Sequence, residues 1–259
     1  MLAIIADPVV QASAPALVNA ALTERGRDYV MVPLQVPRGA LPGVMAALRV
    51  VGSFHGGIVS MPHKAALVDL LDEVSPEGRQ VGACNVFRRR ADGRLSGTML
   101  DGEGFVAALA RAGHAVRGRS VFLAGAGGAA AAIAHAMGKY GAASLTIHNR
   151  TRARAEALGE RVRAAWPALA ARAGGPRPDG HDVVVNATSL GMQPGDPLPL
   201  EVDGLSPAAF AADIVIRPEP TPFLAEAARR GCRVQPGKPM LAEQIGMMIA
   251  FMTDECAAA

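Results

Sequence analysis

The strongest constraint on the fold is the alternation of apolar, strand-like segments with helical segments from the beginning of the chain. Leu2–Ala6 has the pattern of a short buried strand, and Pro15–Arg25 that of a helix ended by Gly26. The alternation predicts an α/β fold. Further strands are predicted at Asp28–Val32, Gly57–Met61, Cys84–Arg90, Arg94–Thr98, Ser120–Ala124, Ser144–His148, Asp182–Asn186, Phe210–Ile216 and Arg233–Gln235. Further helices are predicted at Leu41–Val50, Lys64–Leu71, Gly104–Ala112, Ala129–Lys139, Arg152–Arg163, Pro222–Arg230 and Met240–Met252, with a loop over Trp166–Gly180.

A glycine-rich turn joins the strand Ser120–Ala124 to the helix that follows it. Its sequence has the GxGxxA form, in which the small sixth residue is Ala130. Glycine permits a tight turn and close approach of the backbone to a pyrophosphate, and the amides at the start of the helix face the phosphates. The turn therefore predicts a dinucleotide site. Its expected contact residues are Gly125, Ala126, Gly127, Gly128 and Ala129.

The end of the next strand indicates which dinucleotide binds. An NAD site normally has an acidic residue about 20 residues after the turn, to bind the ribose hydroxyls. This chain instead has Asn149, Arg150, Thr151 and Arg154 around that point. Guanidinium groups suit phosphate oxygens, and a threonine hydroxyl can donate another hydrogen bond. The segment therefore predicts NADP as the cofactor, with Arg150 and Arg154 at its 2′-phosphate.

Composition argues against several other classes of protein. The net charge of +3 is too small for a nucleic-acid-binding protein, and no apolar run approaches the roughly 20 residues of a membrane helix. The three cysteines (Cys84, Cys232 and Cys256) show no CxxC spacing, and the histidines show no metal-ligand spacing. The start of the chain lacks the basic segment of a signal peptide. We therefore expect a cytoplasmic protein without a metal, nucleic-acid or membrane partner.

Seven short motifs occur in a defined order along the chain. They are Val59-Ser60-Met61-Pro62-His63-Lys64, Gly82-Ala83-Cys84-Asn85, Asp101-Gly102-Glu103-Gly104, the glycine-rich turn, Asn149-Arg150-Thr151, Asn186-Ala187-Thr188-Ser189 and Thr221-Pro222-Phe223-Leu224. In this order and spacing, the chain resembles the shikimate and quinate dehydrogenases over nearly its whole length. The resemblance implies two lobes. Residues 1–101, completed by the C-terminal helix within 238–259, would form an α/β substrate domain, and residues 102–237 a Rossmann-type NADP domain.

Lys64 and Asp101 are the expected catalytic pair. Reduction of a ketone by hydride requires a proton for the developing alkoxide, and oxidation requires the reverse. A partly desolvated lysine can deliver this proton, since burial lowers its pKa while a neighbouring carboxylate orients it. From the residues alone, a salt bridge joining the two lobes is the alternative interpretation. The resemblance favours the catalytic one.

Other roles follow from the resemblance only. It places Asn85 and Gln244 in the substrate pocket, with Ser60 where the family usually has threonine. It assigns Thr188, Ser189 and Gly237 to the cofactor. His63 could touch the substrate or be a solvent-exposed histidine at a helix start.

The substrate end departs from the family pattern. Two serines that usually grip the substrate carboxylate are replaced, and Ser13 is one residue out of register. The other departures replace asparagine, threonine or tyrosine by apolar residues. The replacements are Ala12, Ala14, Ile58, Met99, Leu100 and Ile216. Each removes a hydrogen-bonding group, and a substrate carboxylate without partners costs on the order of several kcal/mol.

The chain is therefore expected to be an NADP-dependent oxidoreductase of a small, less polar, cyclic carbonyl or imine compound. A genuine shikimate dehydrogenase is the first alternative. A non-catalytic NADP-binding regulator is the second, and the survival of Lys64 argues against it. An enzyme like methylenetetrahydrofolate dehydrogenase is the third, although the Asn149 and Asn186 motifs fit the shikimate family better. The sequence leaves both a monomer and a homodimer open.

Overall fold

The computed structural model describes residues 1–10 and 12–253, so Gln11 and Cys256 lie outside the described part. The chain divides into two compact units. The first unit comprises Met1–Leu100 and the described residues of Ala242–Ala259, and the second comprises Asp101–Leu241. Each has its own six-stranded sheet, so the α/β prediction is confirmed.

The first unit contains a mixed sheet with the strand order β2-β1-β3-β5-β6-β4. Its strands are β1 (Leu2–Ala6), β2 (Met31–Gln35), β3 (Gly56–Val59), β4 (Glu73–Val74), β5 (Val86–Arg89) and β6 (Leu95–Thr98). Its helices are α1 (Ala14–Glu24), α2 (Leu41–Val50), α3 (Pro76–Val81) and the part of α8 (Lys238–Met252) from Ala242 onward. Strand β1 pairs in parallel with β2 and β3, whereas β5 pairs antiparallel with β3 and β6. The carboxyl ends of β1, β3 and β6 therefore lie at one edge of the sheet.

Apolar packing holds the helices of the first unit against its sheet. The core joins strand residues such as Ile5 and Phe87 to Leu41 and Met45 of α2. The end of α8 also packs on the sheet. The Arg88 guanidinium lies 5.3 Å from the centre of the Phe251 ring. A side chain at Gly56 would meet the Phe87 carbonyl oxygen at 2.6 Å, so only glycine fits at this position.

The second unit contains a fully parallel sheet with the strand order β12-β11-β10-β7-β8-β9. Its strands are β7 (Ser120–Ala124), β8 (Ser144–His148), β9 (Ala170–Ala173), β10 (Val183–Asn186), β11 (Phe210–Asp213) and β12 (Arg233–Gln235). Its helices are α4 (Asp101–Arg111), α5 (Gly128–Lys139), α6 (Arg152–Ala165) and α7 (Pro222–Arg229). Counted within the unit, this is the doubly wound order 3-2-1-4-5-6. The order reverses between β7 and β10, and such a switch point is where open α/β sheets bind ligands.

The helix predicted over Lys64–Leu71 is wrong, since this segment forms turns and ends in the 3₁₀ helix Val68–Leu70. In an α-helix, the Val68 amide would donate to the Lys64 carbonyl oxygen. That oxygen instead accepts from the Cys84 amide at 2.9 Å, and the Val68 amide donates to the Ala65 carbonyl oxygen at 3.2 Å. A long-range hydrogen bond thus overrides the local helical pattern.

Other differences have local causes. The stretch predicted as a loop contains β9, whose alanine-rich sequence has low strand propensity and is determined by pairing with β8. Strand β2 begins three residues later than predicted and includes Pro33, which an edge strand tolerates. Helix α3 was not predicted. Its signal was present, however, in Ser75 as N-cap, Pro76 in the first turn and a left-handed Gly82 at the C-cap.

A buried histidine makes the second unit sensitive to acid. His135 of α5 accepts a hydrogen bond at Nδ1 from the indole Nε1 of Trp166 at 3.3 Å. Burial, assisted by the positive charge of Arg161, lowers the pKa of His135 from 6.5 to about 4. Because the pKa of the folded state lies below the value in the unfolded chain, the stability is fully present above pH 6.5 and is lost as the pH falls towards 4.

We expect the free energy of unfolding to fall by up to about 3 kcal/mol between pH 7 and pH 4 through this group alone. His135→Gln keeps an acceptor for Trp166 but cannot titrate, so its unfolding free energy should depend less on pH. Urea denaturation followed by the fluorescence of Trp166 measures both proteins. Burial also lowers the pKa of His114, but that residue is common to the two proteins. Equal pH dependence in the two would contradict the assignment.

Candidate active site

One edge of the first sheet collects several of the residues assigned to the substrate. Ser60 follows β3 and Leu100 follows β6, while Asn85 precedes the antiparallel strand β5. Because β3 and β6 run in one direction and β5 in the other, all three positions lie at the same edge. The backbone pairing confirms this, since Asn85 bonds both to Val59, the residue before Ser60, and to Thr98 at the end of β6.

Asn85 is the residue that joins these strand ends. It is buried, and its backbone amide donates to the Thr98 carbonyl oxygen at 3.0 Å. Its backbone oxygen accepts from the Val59 amide at 2.8 Å. Its side-chain Oδ1 accepts from the Leu100 amide at 2.9 Å. The side chain therefore fixes the backbone immediately before Asp101.

The turn that carries Lys64 is held by its neighbour. His63 is fully buried, so the alternative of a solvent-exposed histidine is wrong. Its Nε2 lies 2.7 Å from the Val36 carbonyl oxygen. An oxygen of this kind only accepts, so Nε2 donates. Together with the bond from Cys84 to the Lys64 carbonyl oxygen, this fixes the backbone on both sides of the lysine.

Lys64 belongs to the first unit, where it is half-buried, and Asp101 begins the second unit. Asp101 is 4% exposed and is the first residue of α4. A negative side chain is favoured there because unpaired amides at a helix start carry positive partial charge. Gly102 beside it packs against the Ala132 carbonyl oxygen of α5, since a Cβ at Gly102 would approach that oxygen to 2.4 Å. Gln244 is buried in the first-unit part of α8.

The replaced positions carry apolar side chains that are buried or half-buried. Ile58 is buried within β3, Ala14 is buried as the first residue of α1, and Ala12 is half-buried just before it. Ser13 occupies the N-cap position of α1, but its hydroxyl does not cap the helix. Leu100 is half-buried in the first unit and Ile216 is half-buried in the second.

In the glycine-rich turn of the second unit, Gly125 and Gly127 have different surroundings. Gly125 has φ +121°, and its amide donates to the His148 carbonyl oxygen at 2.7 Å. A Cβ there would lie 2.7 Å from the Ala187 carbonyl oxygen and 3.4 Å from the Ala130 side chain. Gly127, the N-cap of α5, has nothing within 4 Å of its Cβ direction. The first glycine is thus required by packing, and the second leaves open space at a helix N-terminus. Gly128 and Ala129 form the first turn of α5, and Ala126 is half-buried between the two glycines.

The basic segment follows the carboxyl end of β8. The Asn149 side-chain amide donates to the Thr151 carbonyl oxygen at 2.9 Å, and this shapes the turn into α6. Thr151 is the N-cap, but its hydroxyl makes no capping bond. Arg152 pairs with Glu156 at 2.8 Å. Within the described residues, the exposed side chains of Arg150 and Arg154 form no ion pair or hydrogen bond.

A buried polar network lies at the ends of β10 and β11, and Thr188 is its one member that was assigned a role from sequence. It joins Asn186 and Asp213, and it includes Thr188 and Thr221. Its sequence signal is a polar residue that ends an otherwise apolar strand in each case. Ser189 is exposed in the loop after Thr188. Gly237 is buried just before α8, where a Cβ would lie 2.6 Å from the Ile214 carbonyl oxygen.

No cluster of three or more His, Cys, Asp or Glu side chains that could hold a metal ion occurs in residues 1–10 and 12–253. Over the same ranges, no helix is both long and apolar enough to cross a bilayer.

Comparison with known proteins gives consistent matches. The family model described as the shikimate dehydrogenase substrate binding domain matches residues 4–87, and that described as shikimate / quinate 5-dehydrogenase matches residues 108–190. The shikimate dehydrogenase (NADP(+)) of Rubrobacter xylanophilus is 40% identical over 253 residues, which cover 94% of this chain and 87% of that protein.

Two solved structures illustrate the range of similar proteins. Shikimate 5-dehydrogenase of Thermus thermophilus, in complex with NADP(H) and shikimate, has a TM-score of 0.88 and 34% identity. The match covers 98% of this chain and 93% of that one. The ligand-free 5-ketofructose reductase of Gluconobacter has a TM-score of 0.86 and 30% identity, with coverage of 97% and 91%. Since the matches extend over both compact units, this chain belongs to the shikimate dehydrogenase family of oxidoreductases.

Proposed function

We propose that this chain is an NADP-dependent oxidoreductase that transfers hydride reversibly between NADP(H) and a small cyclic alcohol or ketone without a carboxylate. The observation that carries the substrate part is the apolar character of Ala12, Ala14 and Ile58, which are buried or half-buried at positions where the family pattern has polar side chains. In this proposal, residues of the first unit bind the substrate and those of the second bind the coenzyme.

The second unit fits the coenzyme in three respects. The open space at Gly127 lets a pyrophosphate approach the N-terminal amides of α5. Arg150 and Arg154, which have no partner among the described residues, stand where a 2′-phosphate would be bound in this fold, and the uncapped hydroxyl of Thr151 can add a hydrogen bond. No acidic side chain lies between β8 and α6 to repel that phosphate. The relatives named for NADP support the same cofactor.

In the proposed catalytic step, Lys64 is the proton donor. NADPH, when bound, supplies the hydride. Lys64 donates a proton to the developing alkoxide oxygen, and in the reverse direction takes it back. Asp101 orients the ammonium group and supports its charge. Asn85 and Gln244 donate to or accept from substrate hydroxyls, with Ser60 beside them. Thr188, Ser189 and Gly237 line the coenzyme site.

The apolar residues Ala12, Ala14 and Ile58 argue against a carboxylated substrate. A carboxylate buried against alanine and isoleucine without donors is disfavoured by on the order of several kcal/mol. The match to a protein named for reduction of 5-ketofructose shows that the same fold carries activity named for another ketone. Genuine shikimate dehydrogenase activity is the second candidate, and the 40% identity to the Rubrobacter protein favours it.

Coenzyme selectivity tests the assigned phosphate clamp. We expect Arg150→Gln and Arg154→Gln each to raise the KM for NADPH about 10- to 100-fold, because each removes a charge-assisted hydrogen bond, with little change in the KM for NADH. Arg152→Gln is the matched control, since its side chain already pairs with Glu156. Steady-state kinetics with NADPH and with NADH measures these KM values. Equal effects of all three substitutions, or equal losses with NADH, would contradict the clamp.

The catalytic role of lysine is tested with a screen of NADPH oxidation over cyclic ketones, cyclic imines and 3-dehydroshikimate. With the best compound, Lys64→Ala should lower kcat about 10²- to 10⁴-fold, as loss of a general acid does, and leave NADPH binding unchanged. Lys139→Ala is the control, since Lys139 pairs with Glu103 on the surface. Turnover by Lys64→Ala equal to that of the wild type would remove Lys64 from the mechanism.

Restoring the serine pair separates the two candidate substrates. If the carboxylate anchor is lost, the double variant Ala12→Ser/Ala14→Ser should raise kcat/KM for shikimate at least about tenfold, because it returns two hydroxyl donors. It should not improve turnover of an uncharged cyclic ketone. Ala16→Ser, on the exposed face of α1, is the control. A wild-type kcat/KM for shikimate in the ordinary range of biosynthetic enzymes, about 10⁴ M⁻¹s⁻¹ or above, would support genuine shikimate dehydrogenase instead.

A further inference from the structure

The second unit buries a carboxylate at the carboxyl ends of its strands, which is the edge proposed to bind the coenzyme. Asp213 is 2% exposed and ends β11, directly opposite Asn186, which ends β10. Oδ1 of Asp213 accepts from Asn186 Nδ2 at 3.0 Å and from the Val215 amide at 2.9 Å. Oδ2 accepts from the Thr221 hydroxyl at 2.7 Å. Three donors therefore converge on one buried acid.

This acid is not part of an ion pair within the described residues. Burial raises the pKa of Asp213, while the hydrogen bonds from Val215, Thr221 and Asn186 act in the opposite direction. A buried carboxyl group that only maintained packing could be replaced by an apolar residue at little cost. Its three hydrogen bonds instead give it a directional role, because the Val215 amide and the Asn186 Nδ2 group that face it can only donate.

The direction of these bonds fixes the amide of Asn186. Its Nδ2 must face Asp213, and it also donates to the Leu190 carbonyl oxygen at 3.0 Å. Oδ1 of Asn186 must then face Thr188, where it accepts from the backbone amide at 3.0 Å and from the hydroxyl at 2.7 Å. The Thr188 hydroxyl in turn accepts from the Leu190 amide at 3.0 Å. The orientation of one side-chain amide thus holds Thr188 and Leu190 within the loop 187–191.

This loop lies beside the glycine-rich turn. The Ala187 carbonyl oxygen is the atom that a side chain at Gly125 would strike. Both segments follow the strands between which the sheet order reverses, β7 and β10. The loop is therefore part of the ligand-binding edge expected for an open α/β sheet.

We propose that Asp213 is a positioning residue for the coenzyme, acting through Asn186 to hold the loop 187–191 in its binding conformation. The inference rests on the proposed NADP function and adds the group that organises one wall of that site. Asp213 itself does not contact the coenzyme.

Asp213→Ala is the direct test because it removes both acceptor oxygens of the side chain. Nδ2 of Asn186, the Val215 amide and the Thr221 hydroxyl then lose their common acceptor. Asn186 can then rotate its amide, which would present Nδ2 to the Thr188 amide. We expect the Kd for NADPH, measured by its fluorescence on binding, to rise about tenfold.

Asn186→Ala removes the link and leaves Asp213 in place, so it provides a result even if Asp213→Ala does not fold. It should raise the Kd for NADPH by a similar factor of about ten. If Asp213 acts only through Asn186, the double variant should bind NADPH no more weakly than Asn186→Ala alone. Independent roles would give the product of the two factors.

The control is Asp182→Ala at the opposite, amino end of β10. Asp182 Oδ2 accepts from the Ser120 amide at 2.8 Å and from its hydroxyl at 2.7 Å, so the substitution also removes acceptor bonds to strand ends. It should lower the Tm and leave the Kd for NADPH within about twofold of the wild-type value.

The proposal is overturned if a folded Asp213→Ala or Asn186→Ala variant binds NADPH within about twofold of wild type, if Asp182→Ala weakens binding equally, or if the double variant shows multiplied losses. Wild-type protein that does not bind NADPH would overturn the proposed function and this inference together. That outcome is recognised before any substitution is made.

Discussion

The contact between the glycine-rich turn and the loop after β10 is the constraint on which the second unit depends. Gly125 adopts φ +121° with its Cβ direction against the Ala187 carbonyl oxygen, so no other residue fits there without moving one of the two segments. The close approach brings together the ends of β7 and β10, where the strand order reverses. Polar bonds behind it, from Asp213 through Asn186, then fix the loop that faces the turn. Packing and hydrogen bonding therefore act on the same edge of the sheet.

In the first unit, hydrogen bonds to distant backbone hold the segments that carry the candidate residues. Its candidate residues Ser60, Lys64 and Asn85 lie outside helices and strands, whereas Gln244 lies in α8, and the segments around the first three are held by bonds to distant backbone. Asn85 ties the end of β6 to the start of β5, and the Cys84 amide takes the Lys64 carbonyl oxygen away from a local helix. The buried His63 anchors the same turn on Val36. These bonds fix the backbone around polar residues that lie outside helices and strands.

The proposed chemistry combines a preserved proton-transfer pair with an altered pocket. Lys64 and Asp101 keep the residue types needed to exchange a proton with an alcohol, and the arginines after β8 suit a 2′-phosphate. The positions near the substrate have lost hydrogen-bonding groups together, which changes which carbonyl compound is favoured more than whether hydride transfer occurs. Ser13 does not compensate, because it is the N-cap of α1 and follows Ala12 instead of replacing it.

The sequence by itself determined the α/β class, the four strands Leu2–Ala6, Ser120–Ala124, Ser144–His148 and Arg233–Gln235, and the turn at Gly125, since these depend on local apolar runs and on the conformational freedom of glycine. It also supplied every candidate residue, although their roles stay predictions. Only the tertiary structure decided that Lys64–Leu71 is not a helix, that His63 is buried, that Ala170–Ala173 is a strand and that Asp213 organises a network. In each of these cases the deciding partner is distant in the sequence, and a hydrogen bond to a distant residue leaves no periodic signal in the segment that makes it.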